Sequence, residues 1–174
     1  MGPYLHGPLT RFGLTAATLA CAVDQAVKSW LLFGFDLPSR GIVRLAPFLD
    51  LVLTWNTGIS YGWFAQDGDL GRFVLLLLKL GAVVALWVWL ARAESRLTAL
   101  ALGLIIGGAF GNAIDRLVHG AVMDFVLFHI RTPSINFVWY VFNLADAAIV
   151  AGVVGLLYES FFGAVPQKRP DPPR

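Results

Sequence analysis

Residues 103–116 read Gly103-Leu-Ile-Ile-Gly-Gly-Ala-Phe-Gly-Asn-Ala-Ile-Asp-Arg116. Gly103, Gly107 and Gly111 recur every four positions, so on a helix they form one smooth stripe that admits a close neighbour. Asn112, Asp115 and Arg116 fall at i, i+3 and i+4 and share a face at the end of the same helix. The surrounding run, residues 97–118, is otherwise apolar and long enough to cross a bilayer. Close packing explains the glycines. It does not explain an amide, a carboxylate and a guanidinium together, because an ionisable group within a span costs roughly 2.5–3.5 kcal/mol on insertion scales.

Working outward, the 174 residues are 57% hydrophobic and 14% charged, against about 45–50% and about 25% for soluble domains. Mean hydropathy is +0.71. Disorder, collagen and coiled coil are excluded by this composition. A disulfide scaffold is excluded by Cys21 standing alone, and 13 basic against 11 acidic residues give no nucleic-acid surface. The expected fold is an all-α membrane protein with four transmembrane helices over 9–35, 72–90, 97–118 and 137–162. Residues 40–64, β-branched and aromatic with period-2 alternation, predict a small strand region after the first helix. Residues 121–136 predict an irregular segment between helices three and four.

Residues 1–165 form one expected domain, and 166–174 a polar, Pro-rich tail expected to be disordered. An even number of spans puts both termini on one side. Six basic residues on the terminal side (Arg11, Arg92, Arg96, Lys168, Arg169, Arg174) against four on the other (Arg40, Arg44, Arg72, Arg131) predict that both termini are cytoplasmic. Thr18-Leu-Ala-Cys21 has the form of a lipid-attachment motif, but more span follows it, so Cys21 is read as a buried structural cysteine.

The remaining polar positions carry the chemistry. Asp24 and Lys28, four apart on one helix face, are either a self-neutralising pair or a ligand contact. Lys79 lies mid-span without an acid at i±3 or i±4, and its role is open. Asp124 sits in the apolar run Val122-Met-Asp-Phe-Val-Leu-Phe128, and Asp146 in Phe142-Asn-Leu-Ala-Asp-Ala-Ala-Ile149; both are expected at one membrane face. Two carboxylates brought together share a proton, which supplies a base for water and an acid for a leaving amine. Ser60, Ser134 and Cys21 lack a nucleophile's setting, and His6, His119 and His129 lack metal-ligand spacing.

Five blocks in order, Asp24-Gln25 with Lys28, Asn56-Thr-Gly58, Gly107–Arg116, Val122-Met-Asp124-Phe and Phe142-Asn-Leu-Ala-Asp146, make the chain resemble the bacterial lipoprotein signal peptidases (type II signal peptidases). The resemblance implies a four-helix inner-membrane aspartic endopeptidase, inhibited by globomycin and needing no metal or other cofactor. It would cut the signal peptide from a diacylglyceryl-modified prolipoprotein just before the lipidated cysteine. Asp124 and Asp146 would be the catalytic pair. Asn112, Arg116 and Asn143 would bind or orient substrate, with Asp24, Lys28, Asn56, Gly58 and Asp115 in support. The strand region would form a periplasmic β-cradle, the active site would face the periplasm, and the enzyme is expected to be a monomer among membrane lipids. Ile59 and Ser60 depart from the small residues usual in the family, and the loop around 130–136 is a few residues long.

Asn143 is placed to cap the fourth helix, leaving Asp146 in its first turn, where the helix dipole favours a negative charge by roughly 0.3–1 kcal/mol. Asp124, among apolar neighbours, should be harder to ionise. Asp146 is therefore the expected initial base and Asp124 the initial acid. Arg116 has two readings, an oxygen ligand for substrate or an ion pair with Asp115 or Asp124. The competing class is a small transporter or proton-conducting protein built on the same buried charges.

Overall fold

The computed structural model describes residues 6–57 and 81–163. Helix α1 runs Thr10–Ser29 and continues as a π-helical turn, Trp30–Gly34; a short α2 follows at Leu37–Arg40. Strands β1 (Val43–Ala46) and β2 (Leu49–Asn56) come next. Then come helix α3 (Gly81–Ala91), helix α4 (Arg96–His119), strands β3 (Val122–Arg131) and β4 (Asn136–Val138), and helix α5 (Leu144–Phe162). Gly58, Lys79 and the tail lie outside the described residues.

The glycine stripe makes α4 the central helix. A side chain at Gly103 or Gly107 would meet the α1 main chain at Gly13 or Ala17, and one at Gly108 would meet Ala145 of α5. α4 and α5 have the length and hydropathy of membrane spans. α1 carries Asp24 and Lys28 buried against its neighbours, which lowers its hydropathy without exposing charge to lipid. α3 is described over eleven residues, as a shorter apolar helix.

The four strands form one antiparallel order, β1-β2-β3-β4. The segment between the third and fourth long helices is thus not irregular. Ten of its residues form β3, pairing with β2 from Leu49↔Phe128 to Asn56↔Val122. Its β-branched and aromatic side chains suit a strand, but the run lacks period-2 alternation and its pairing partner lies roughly 70 positions upstream, beyond any local signal. The fourth long helix also starts later than residue 137: residues 136–138 are β4, and the helix begins after Asn143. Leu31, Leu37, Met123 and Phe125 form a buried cluster fastening the end of α1 to the sheet, each such side chain contributing about 1.5–3 kcal/mol.

Candidate active site

Three local devices bring the polar residues to one end of the bundle. Gly120 ends α4 in the left-handed region, φ 74°, a conformation glycine adopts without steric cost. The chain therefore reverses directly into β3, and the Met123 N–H donates to Asp115 Oδ2 at 3.0 Å. On the far side of β3, the Phe125 and Val126 N–H groups donate to the Phe142 carbonyl at 3.0 and 2.8 Å, which fixes Asn143 beside Asp124. Asn143 then caps α5 with a full capping box: its Oδ1 accepts from the Asp146 N–H at 2.9 Å, and Asp146 Oδ2 accepts from the Asn143 N–H at 3.2 Å.

Asn143 touches both acids. Its side-chain amide donates to Asp124 Oδ1 at 2.7 Å and to Asn112 Oδ1 at 3.1 Å. Asn56 donates to Asp124 Oδ2 at 3.1 Å, and Asn112 donates to Asp146 Oδ1 at 2.8 Å. Asp124 is 3% exposed, whereas Asp146 is half-buried. Burial pushes the Asp124 carboxyl above its ordinary value. The amides of Asn56 and Asn143 pull it back, the charge of Asp146 adds to the push, and Lys28 opposes it. The Asn143 cap on α5 and the upward push on Asp124 agree with the sequence in direction.

Beneath the pair lies a buried ionic triad. Lys28 Nζ is 2.8 Å from Asp24 Oδ2 and 2.7 Å from Asp115 Oδ2, and it donates to Asn112 Oδ1 at 3.5 Å. Asp24 Oδ1 accepts from the Ala145 N–H at 3.0 Å. Each triad carboxylate therefore holds the main-chain N–H just before one of the paired acids, Met123 before Asp124 and Ala145 before Asp146. Asp24 and Lys28 form an ion pair, one of the two readings of their spacing, and Asp115 is a third partner. Gln25, quoted only as part of a motif, closes the network by donating to Asp24 Oδ2, Asp115 Oδ1 and the Gly111 carbonyl. Its position next to Asp24 in a span was the available signal.

Arg116 stands apart. It is exposed and donates to the Asn112 carbonyl at 3.3 Å; among the described residues it pairs with neither Asp115 nor Asp124. A second buried acid, Asp50 of β2, meets His129 Nε2 at 3.0 Å within the sheet, with Arg44 Nε 3.7 Å away. His129, which in the sequence only lacks metal-ligand spacing, has its acid partner 79 positions upstream. His119 is exposed and packs against Trp55 in a tilted arrangement, ring centres 5.1 Å apart.

Residues 16–162 match the family model described as Signal peptidase (SPase) II. The chain belongs to the signal peptidase II family. It is 59% identical over 160 residues to the lipoprotein signal peptidase of Nitrobacter hamburgensis, covering 92% of this chain and 98% of that one. To that of Rhodopseudomonas palustris strain TIE-1 it is 56% identical over the same shares. The Methylorubrum extorquens enzyme is 58% identical over 150 residues, 86% of this chain and 85% of its own. Two bacterial membrane enzymes solved by the in meso method, at 1.9 and 2.3 Å, share the fold with TM-scores of 0.66 and 0.65 at 21% identity. They align over 92% and 98% of this chain and 99% of each of theirs. This signal peptidase II family member is accordingly a bacterial membrane hydrolase, and the transporter alternative is not favoured.

Proposed function

We propose that the protein is an aspartic endopeptidase that removes the signal peptide from diacylglyceryl-modified prolipoproteins, with Asp124 and Asp146 as its catalytic pair. The observation carrying this is Asn143, a single residue hydrogen-bonded to both carboxylates. A water held between the acids loses a proton to Asp146 as it attacks the scissile carbonyl. Asp124 enters protonated and gives its proton to the leaving amine. Asn112 and Asn143 orient the acids and the substrate backbone. Arg116, free of acid partners among the described residues, takes a carbonyl or headgroup oxygen of the substrate. Asp24, Lys28, Asn56, Gly58 and Asp115 support the pair.

Four spans with cytoplasmic termini put the pair at the periplasmic end of the helices. There the lipidated cysteine, with its acyl chains in the outer leaflet, brings the bond within reach of water. The enzyme works as a monomer and globomycin competes for the same site. The test is incubation of the detergent-purified protein with a lipidated and an unlipidated prolipoprotein, with and without globomycin. Cleavage of the lipidated form alone, abolished by globomycin, is expected. Equal cleavage of both forms, or none of either, overturns the reading.

A further inference from the structure

Helix α1 continues past the buried triad into a cationic corner that the candidate site does not use. A side chain at Gly103, Gly107 or Gly111 of α4 would meet Gly13, Ala17 or Asp24 of α1, respectively, so the two helices run side by side in one direction. Eight residues beyond Gly111, α4 ends at His119; eight beyond Asp24 lies Leu32, within the π-helical turn Trp30–Gly34. Because α4 has the length and hydropathy of a span, this turn stands level with a span's end, where hydrocarbon gives way to headgroups. Trp30 and Phe33 are 56% and 80% exposed there, and tryptophan is a residue that collects at that boundary.

The first basic residue beyond the turn is Arg40, exposed at the end of α2. Its Cζ stands 4.4 Å from the centre of the Phe35 ring, and its Nε donates to the Phe35 carbonyl at 2.6 Å. That ring in turn lies 5.2 Å from Trp30. Asp36 sits four positions before Arg40, the spacing of a helical ion pair. Its backbone is left-handed, with φ 53°, and its carboxylate accepts from the Ser39 hydroxyl instead. Arg44 reaches Asp50, but among the described residues no carboxylate pairs with Arg40. The guanidinium therefore keeps both terminal amino groups for a ligand, on a side chain already held in place.

We propose that Arg40 binds the phosphodiester of a membrane phospholipid whose acyl chains lie along Trp30 and Phe33. The fork of a guanidinium meets two phosphate oxygens at once, and the Phe35 ring behind it shields the charge from water. Since Arg40 is fixed before the lipid arrives, little side-chain freedom is lost on binding. A free phosphate would meet the guanidinium alone, and a neutral diacylglycerol the aromatic side chains alone. One headgroup held here ties the depth of α1 to the membrane surface. The binding is read without cleavage, so it stands apart from the proposed peptidase activity.

The test is titration of the full-length protein, stripped of lipid in a maltoside detergent, with phosphatidylglycerol, diacylglycerol or inorganic phosphate, followed by native mass spectrometry. Phosphatidylglycerol should bind, and Arg40→Gln, checked for retained unfolding temperature, should weaken its tightest site by about tenfold or more. Equal binding by diacylglycerol would mean that apolar contact suffices, and equal binding by inorganic phosphate that the site takes free anions. Either result overturns the proposal, as does unchanged binding in Arg40→Gln or no binding of phosphatidylglycerol at all.

Should Arg40→Gln not fold, phenylglyoxal modification of the unsubstituted protein decides. Phosphatidylglycerol at ten times its dissociation constant should slow modification of Arg40 by about tenfold. Protection equal to that given by diacylglycerol overturns the proposal.

Discussion

At the scale of single residues, burial outweighs the hydrogen bonds at Asp124. Asn56 and Asn143 both donate to Asp124 and so favour its charged form, while burial and the charge of Asp146 oppose it. Asp124 is an acid whose value is raised in the folded protein, so its protonated form is the one folding favours. Activity that needs this proton is present at lower pH and lost as pH rises through the raised value. Asn56→Ala removes a donor that favours the carboxylate. The alkaline limb of kcat/KM should therefore move to higher pH; a limb that stays put or moves down contradicts the assignment. Lys28→Met leaves Asp24 and Asp115 buried without their cation, and should lower stability by about 3–5 kcal/mol, read as thermal unfolding in detergent. A loss under about 1 kcal/mol would mean the triad is more hydrated than the structure shows.

At the scale of elements, the sheet is a fastening for the site. β3 carries Asp124, β2 carries Asn56, and the bridge from Val126 to Phe142 delivers Asn143. Asp50 and His129 link β2 to β3 inside the sheet, although among the described residues Asp50 Oδ1 and His129 Nδ1 lack hydrogen-bond partners. His129→Ala leaves the buried Asp50 only the exposed Arg44 at 3.7 Å and should cost about 1–3 kcal/mol, whereas Asp50→Leu with His129→Phe should cost less than that single change. A double variant as damaging as the sum of its parts would show that the two do not act together. These contacts mark the limit of sequence reading. The Asn143 cap was legible because a capping code spans three positions, and the glycine stripe because its period is local. Lys28 with Asp115 and Asp50 with His129 were not, since their partners lie 87 and 79 positions away, respectively. The later start of α5 was missed for a related reason: apolar residues 137–142 suit a strand and a span equally.

At the scale of the whole molecule, α4 is the spine, with α1 and α5 on its two glycine-smoothed faces and the sheet across one end. That end holds the two acids and the triad beneath them, so the proposed base and acid sit in one place. If the acids act as one unit, their losses do not add. The decisive measurement is kcat/KM on a lipidated prolipoprotein for Asp124→Asn, Asp146→Asn and the double variant, each checked for retained unfolding temperature. Each single change should cost about 10³-fold or more, and the double no more than the worse single. Cleavage surviving either substitution, or losses that multiply in the double, would contradict a shared proton between Asp124 and Asp146.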